Sequence, residues 1–196
     1  MKIDLVEIGI GNIGSVKRCL ERLGVKYHIV GPGNPPNGKH PLILPGVGQF
    51  GAIMQALKQS DFDLCLRNLI LAGTPYLGIC VGLQILFDSS EESKNVSGLG
   101  LLKGKIVRFQ QGKLPQIGWN LIKPLNGTST ATEYAYFVNS FYAEPQTQAI
   151  VSHTANYHVE FCAALQFNNI TAVQFHPEKS AQYGAEFLKR WLHNVS

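Results

Sequence analysis

The stretch Pro75–Gln84 constrains the fold of this chain more than any other. An apolar run, Tyr76-Leu77-Gly78-Ile79, leads into Gly78-x-Cys80-x-Gly82, and Leu83, Ile85, Leu86 and Phe87 follow in a helical pattern. A strand that passes directly into a helix through a sharp turn is the layout of a nucleophile elbow, with cysteine in the place of serine. Glycines on either side suit a turn that is crowded and needs unusual backbone angles. The free N–H groups and partial positive charge of a helix start favour an anionic sulfur at its tip.

The surrounding pattern alternates strand and helix. Residues 2–10, 27–30, 42–44 and 75–80 read as strands, with helices at about 15–23, 50–59 and 61–72 between them. Such alternation implies a parallel sheet covered on both faces. The second half changes character. Residues 104–109, 114–122, 135–138, 149–152, 161–166 and 170–175 read as strands joined by short loops, before a closing helix at 183–193. No linker or repeat divides the 196 residues. The expectation is therefore an α/β fold, a single domain over 1–196 with a central mixed, mainly parallel sheet flanked by helices.

Composition excludes several classes. The net charge of +4 is modest and its lysines and arginines are dispersed, so no nucleic-acid stripe is present. No apolar run reaches membrane-spanning length. The four cysteines, at 19, 65, 80 and 162, have neither metal-ligand spacing nor a disulfide framework. Met1-Lys2-Ile3-Asp4 has no signal-peptide character, and a cytoplasmic location with reduced thiols is expected.

Gly9-x-Gly11-x-x-Gly14 follows a strand and opens a helix, as a dinucleotide fingerprint does. The acidic residue that such a site needs about twenty positions on is missing, because that region reads Tyr27-His28-Ile29-Val30-Gly31-Pro32. A tight turn is the better reading. Pro45-Gly46-Val47-Gly48 leaves the third strand before another helix, and beside a cysteine elbow its backbone N–H groups suit an oxyanion. A cysteine nucleophile needs a base, and the base needs an orienter. Of six histidines, His176 has the context. A β-type run delivers it, Pro177 stiffens the backbone after it, and Glu178 falls on the same side if the chain stays extended. His28, His40, His153, His158 and His193 lack such a partner and read as structural or solvated, and Cys19, Cys65 and Cys162 as core thiols.

Cys80, Pro45–Gly48 and Phe175-His176-Pro177-Glu178 together resemble the class I, triad-type glutamine amidotransferases, nearly end to end. Within that family the likeness is to the glutaminase subunits of imidazole glycerol phosphate synthase. It is carried by Gly11-Asn12-Ile13-x-Ser15-Val16, Leu44-Pro45-Gly46-Val47-Gly48-x-Phe50-Gly51, Leu86-Phe87-x-x-Ser90-Glu91-Glu92, Pro115-x-x-Gly118-Trp119-Asn120 and Gln174–Ser180. The resemblance implies catalytic roles for Cys80, His176 and Glu178, with oxyanion donors at Val81 and in the loop at Val47 and Gly48. It implies glutamine binding by Gln84, Glu92, Ser140 and Phe141, and no cofactor or metal. It also implies a (β/α)8-barrel cyclase/synthase partner, met by Asn12, Pro115, Ile117, Trp119, Tyr136 and Lys179, that receives the ammonia.

Three positions depart from the family's usual pattern. Gln116 and Asn139 stand where histidines are common, and Glu7-Ile8-Gly9 replaces Asp-Tyr-Gly. No triad member is lost, but the partner-facing surface and the allosteric coupling are where such changes would act. Three other readings compete: an ammonia-supplying subunit of a surface-polysaccharide sugar amidotransferase, a catalytically silent binding subunit, and an independent cysteine hydrolase. The intact triad opposes the second, and the family-specific stretches oppose the third.

Overall fold

The first strand has no exposed face: Ile3, Asp4, Leu5 and Val6 of β1 (Lys2–Val6) are all buried. Such a strand belongs inside a covered parallel sheet. β1 lies between parallel neighbours β2 (Lys26–Val30) and β3 (Leu42–Gly46), and β3 pairs in turn with β4 (Tyr76–Cys80). The computed structural model describes residues 1–10, 13–59, 61–125 and 133–195.

The remaining strands are β5 (Ser89–Ser90), β6 (Gly104–Arg108), β7 (Gln116–Pro124), β8 (Glu133–Asn139), β9 (Phe141–Pro145), β10 (Val151–Asn156), β11 (Glu160–Phe167) and β12 (Ile170–Val173). Among the described residues all twelve strands form one mixed sheet, whose main path runs β2-β1-β3-β4-β12-β11-β10-β7-β8. From β2 to β12 the pairing is parallel, and from β12 to β8 it is antiparallel. β12 is thus the junction. It enters the parallel half beside β4 after the chain has built the whole antiparallel half.

The helices bury the faces their sequences offer. α1 (Gly14–Arg22) buries Val16, Cys19 and Leu20, and it ends in the Schellman pattern expected of Gly24: the Gly24 N–H bonds Glu21 and the Val25 N–H bonds Leu20. α2 (Phe50–Lys58) buries Phe50, Ile53, Met54 and Leu57, the i, i+3, i+4, i+7 stripe, and each such side chain contributes about 1.5–3 kcal/mol. α3 (Phe62–Leu71) packs on α2, and α5 (Ala181–Asn194) closes the chain against β8.

The helix after the elbow is shorter than its apolar pattern suggests. α4 spans Val81–Gln84, because the carbonyls of Ile85, Leu86 and Phe87 accept N–H groups from the 99–102 loop instead of continuing a helix. That loop leaves Ile85, Leu86 and Phe87 fully buried. Among the described residues no helix is long and apolar enough to cross a membrane.

Candidate active site

The elbow is assembled from backbone crowding. A Cβ on Gly78 would run into the Gly82 carbonyl, and one on Gly82 into the Leu44 carbonyl, so neither position admits a side chain. The Tyr76 hydroxyl donates to the Gly82 carbonyl at 2.7 Å and braces the turn from inside the core. Between the two glycines Cys80 adopts φ 55°, ψ −106°, a region that disfavours a residue with a Cβ. Val81 then opens α4, as the elbow reading requires.

Strand register brings the other parts alongside. Gly46, at the end of β3, is in register with Cys80, so Val47 and Gly48 emerge directly beside the sulfur. On the other side Val173 of β12 is in register with Ile79, and the Gln174 N–H continues the ladder to Ala163. The chain therefore delivers His176 next to the elbow.

His176 is almost fully buried, and its Nδ1 lies 2.9 Å from Glu178 Oε1. The route to that contact differs from the extended one expected. Pro177–Lys179 forms a 3₁₀ turn, and the turn swings the Glu178 carboxylate back to the ring. Backbone groups clamp the ring's segment. The His176 N–H donates to the Tyr136 carbonyl at 2.9 Å, and the Ser180 hydroxyl donates to the His176 carbonyl at 2.7 Å while accepting the Tyr136 N–H at 2.9 Å.

The Nε2 edge of the ring and Glu178 Oε2 are buried without a hydrogen-bond partner among the described residues. Burial disfavours the imidazolium, but the Cys80 sulfur and the Glu178 carboxylate outweigh it and push the pKa of His176 up to about 10. At neutral pH these two neighbours therefore favour the protonated ring.

A pocket of about 170 Å³ opens over the sulfur, lined by Val47, Gly48, Cys80, Val81, Gln84, Glu92 and the strand ends around Asn139. Ser140 and Phe141 line it too, but their carbonyls are engaged. The Ser140 carbonyl accepts from Phe109 N–H, and the Phe141 carbonyl from Gln84 Nε2 at 3.3 Å and Asn139 Nδ2 at 3.0 Å. Glu92 Oε2 accepts the Phe50 N–H at 2.6 Å, which ties the pocket wall to the first turn of α2. All the expected triad, oxyanion and substrate residues thus converge, His176 and Glu178 from the base side and the others around the pocket.

Two features were not evident beforehand. Gln174, wholly buried, directs its Nε2 to Cys80 Sγ at 3.6 Å while its Oε1 accepts Gln84 Nε2 at 3.0 Å. The signal was present, since residues two apart on a strand share a face and Gln174 precedes His176 by two. Gln116 and Asn139 are cross-strand partners in β7 and β8, each 5% exposed, and each keeps an unbonded amide oxygen. Both lie inside the protein, Gln116 beneath the Ile117–Trp119 face and Asn139 in the wall of the Cys80 pocket. Strand alternation turns Gln116 inward and its neighbour Ile117 outward.

The expected partner-facing residues lie mainly on one sheet face. Ile117 and Trp119 are 63% and 53% exposed, Trp119 meets Tyr136 edge-on at 5.9 Å, and Lys179 Nζ stands 5.9 Å over the Tyr136 ring. Pro115 belongs to both this face and the Cys80 pocket. Asn12 lies outside the described residues.

Comparison with known proteins agrees with this geometry. The family model "Glutamine amidotransferase class-I" matches residues 4–195. The chain is 40% identical to imidazole glycerol phosphate synthase subunit HisH of Prochlorococcus marinus, covering 99% of this chain and 98% of that one. It is 39% identical to the HisH subunit of Pyrococcus furiosus, covering 97% of each. The structure of PurLQS from Thermotoga maritima superposes with a TM-score of 0.79 at 18% identity, over 100% of this chain and 99% of that chain, a likeness of fold. The chain belongs to the class I glutamine amidotransferases and, within them, to the family of HisH subunits.

Proposed function

We propose that this chain is the glutamine-hydrolysing subunit of an imidazole glycerol phosphate synthase, acting as one domain over 1–196 in the cytoplasm. The observation that carries the reading is Cys80, held at φ 55° between crowded glycines beside the buried His176–Glu178 pair. Cys80 Sγ attacks the side-chain amide carbon of glutamine. The oxyanion forms against the Val81 N–H and an N–H of the Val47–Gly48 loop. His176 gives its proton to the departing nitrogen, ammonia leaves, and a glutamyl thioester remains. The neutral ring then takes a proton from water as its oxygen attacks the thioester, and glutamate and the thiolate are released. Glu178 keeps the ring's orientation through both steps. Gln84, Glu92, Ser140 and Phe141 hold the amino-acid end of the substrate.

Ammonia is useful to a synthase only if delivered before it is protonated and diluted. The exposed Ile117–Trp119 face, with Tyr136 and Lys179, supports docking of a (β/α)8-barrel cyclase/synthase as a heterodimer, with Trp119 as an anchor. Together the two subunits would carry out the lyase step that yields imidazole glycerol phosphate and AICAR. The test is glutamine hydrolysis by the chain with its co-purified partner. Turnover should vanish in Cys80→Ala, and Trp119→Ala should weaken association at least tenfold. Equal turnover in Cys80→Ala would overturn the mechanism. Failure to rescue a histidine auxotroph, with hydrolysis intact, would overturn the pathway.

A further inference from the structure

None of Asp4, His28 and His40 lines the Cys80 pocket, yet the fold gathers them. Asp4 sits in the middle of β1, between Ile3 and Leu5, and is only 3% exposed. Parallel pairing sets His28 of β2 directly beside it. On the opposite side the Asp4 N–H donates to the Pro41 carbonyl at 2.9 Å, which fixes the residues entering β3 and with them His40. The carboxylate is thus flanked by one imidazole from each neighbouring segment. A ligand atom from each of the three lies within 4.8 Å of the other two, and the two imidazole rings are 5.4 Å apart.

A carboxylate buried this deeply is unfavourable unless a cation compensates it. Its contact to His28 Nδ1 is long at 3.5 Å, and the His28 side chain is half in water. We propose that Asp4, His28 and His40 form a binding site for a divalent first-row transition metal, with zinc the best-fitting ion. Two imidazoles and one carboxylate are a ligand set for zinc and its neighbours, whereas magnesium and calcium take oxygen ligands. Zinc bonds of 2.0–2.1 Å in a tetrahedron put ligand atoms about 3.3 Å apart. Closing the present cluster to that size requires at most about 1.5 Å on any edge. Rotation of the His28 and His40 side chains supplies it, since both reach the surface while Asp4 stays fixed in its strand. Water would complete the coordination. The bound ion would tie the edge strand β2 and the 31–41 loop to β1, a stabilising role independent of glutamine chemistry.

The test is titration of the tag-free chain with Co²⁺, and with Zn²⁺ in competition, in a Cys80→Ala background that removes the Cys80–His176 thiol–imidazole pair. One ion per chain should bind, with visible d–d absorption. Zinc at a hundredfold excess over its Kd should raise the unfolding midpoint by about 5–10 °C. His28→Ala and His40→Ala, both near the surface, should each weaken binding at least tenfold and remove the thermal shift. Asp4→Asn should abolish binding, and if it fails to fold the two histidine variants decide. Absence of one-to-one binding, or unchanged affinity in His28→Ala, would overturn the site.

Discussion

The backbone of Cys80 offers a measurable energy. At φ 55°, ψ −106° a residue bearing a Cβ is held in a sparsely populated conformation, which costs about 1–3 kcal/mol. Cys80→Ala removes the sulfur but keeps the Cβ and the strain, whereas Cys80→Gly removes both. The lost contacts of Sγ, to Gln174 Nε2 at 3.6 Å and the Val138 carbonyl at 3.9 Å, are common to the two variants and cancel. Glycine's extra unfolded-state entropy costs up to about 1 kcal/mol. With a mid-range strain of about 2 kcal/mol, the glycine variant comes out ahead by about 1 kcal/mol. In a chain of this size that is about 2–4 °C in unfolding midpoint. Calorimetry and urea titration of the two variants measure it, and both should be inactive. The sign is diagnostic, because alanine is the more stable residue at ordinary positions. A Cys80→Gly protein no more stable than Cys80→Ala would limit the strain to glycine's own entropic cost of about 1 kcal/mol and refute the mid-range value.

Gln174→Leu should lower glutaminase kcat at least tenfold and stability by about 1–3 kcal/mol, because the Gln84 amide loses an acceptor and Cys80 Sγ a donor; unchanged kcat would exclude a positioning role. His176, raised from 6.5 to about 10 in the fold, binds its proton more tightly there than in the unfolded chain. Its stabilisation should be complete below about pH 6.5 and disappear as pH rises through 10. Urea midpoints of wild type minus His176→Ala, taken across that window, should shrink with rising pH, and a constant difference would contradict the shift.

The parallel half of the fold was legible because its signals are local. Apolar strands, glycine turns and helical stripes each declare themselves within ten residues, and Gly78-x-Cys80-x-Gly82 marks one junction unambiguously. Glu178 was found for an incomplete reason: the contact to His176 is real, but a 3₁₀ turn makes it, since Pro177 favours a turn as readily as an extended chain. β9 (Phe141–Pro145) was missed because the strands read from the sequence stop at 138 and resume at 149. The chain in fact changes partners at Ser140, leaving β7 for β6 and β11. Partner choice of that kind depends on residues far away in sequence. The same holds for Gln116 and Asn139, whose burial follows from which strand face meets the core, and for Asp4, His28 and His40, which meet only through sheet register.

The sheet also serves as a ruler. The proposed oxyanion loop, nucleophile and base leave the ends of β3, β4 and β12, three consecutive rungs of one parallel ladder. Their lateral separations are therefore set by the backbone repeat of about 4.8 Å rather than by any side chain. A substitution can tilt a group or empty it of function, but it cannot slide one rung relative to the next. Variation that tunes this chemistry falls on residues that overhang the ladder, 47–49 and 174–180, and on the pocket wall at Gln84, Glu92, Ser140 and Phe141. A single substitution elsewhere in the sheet should change how firmly the rungs are held and leave their spacing as it is.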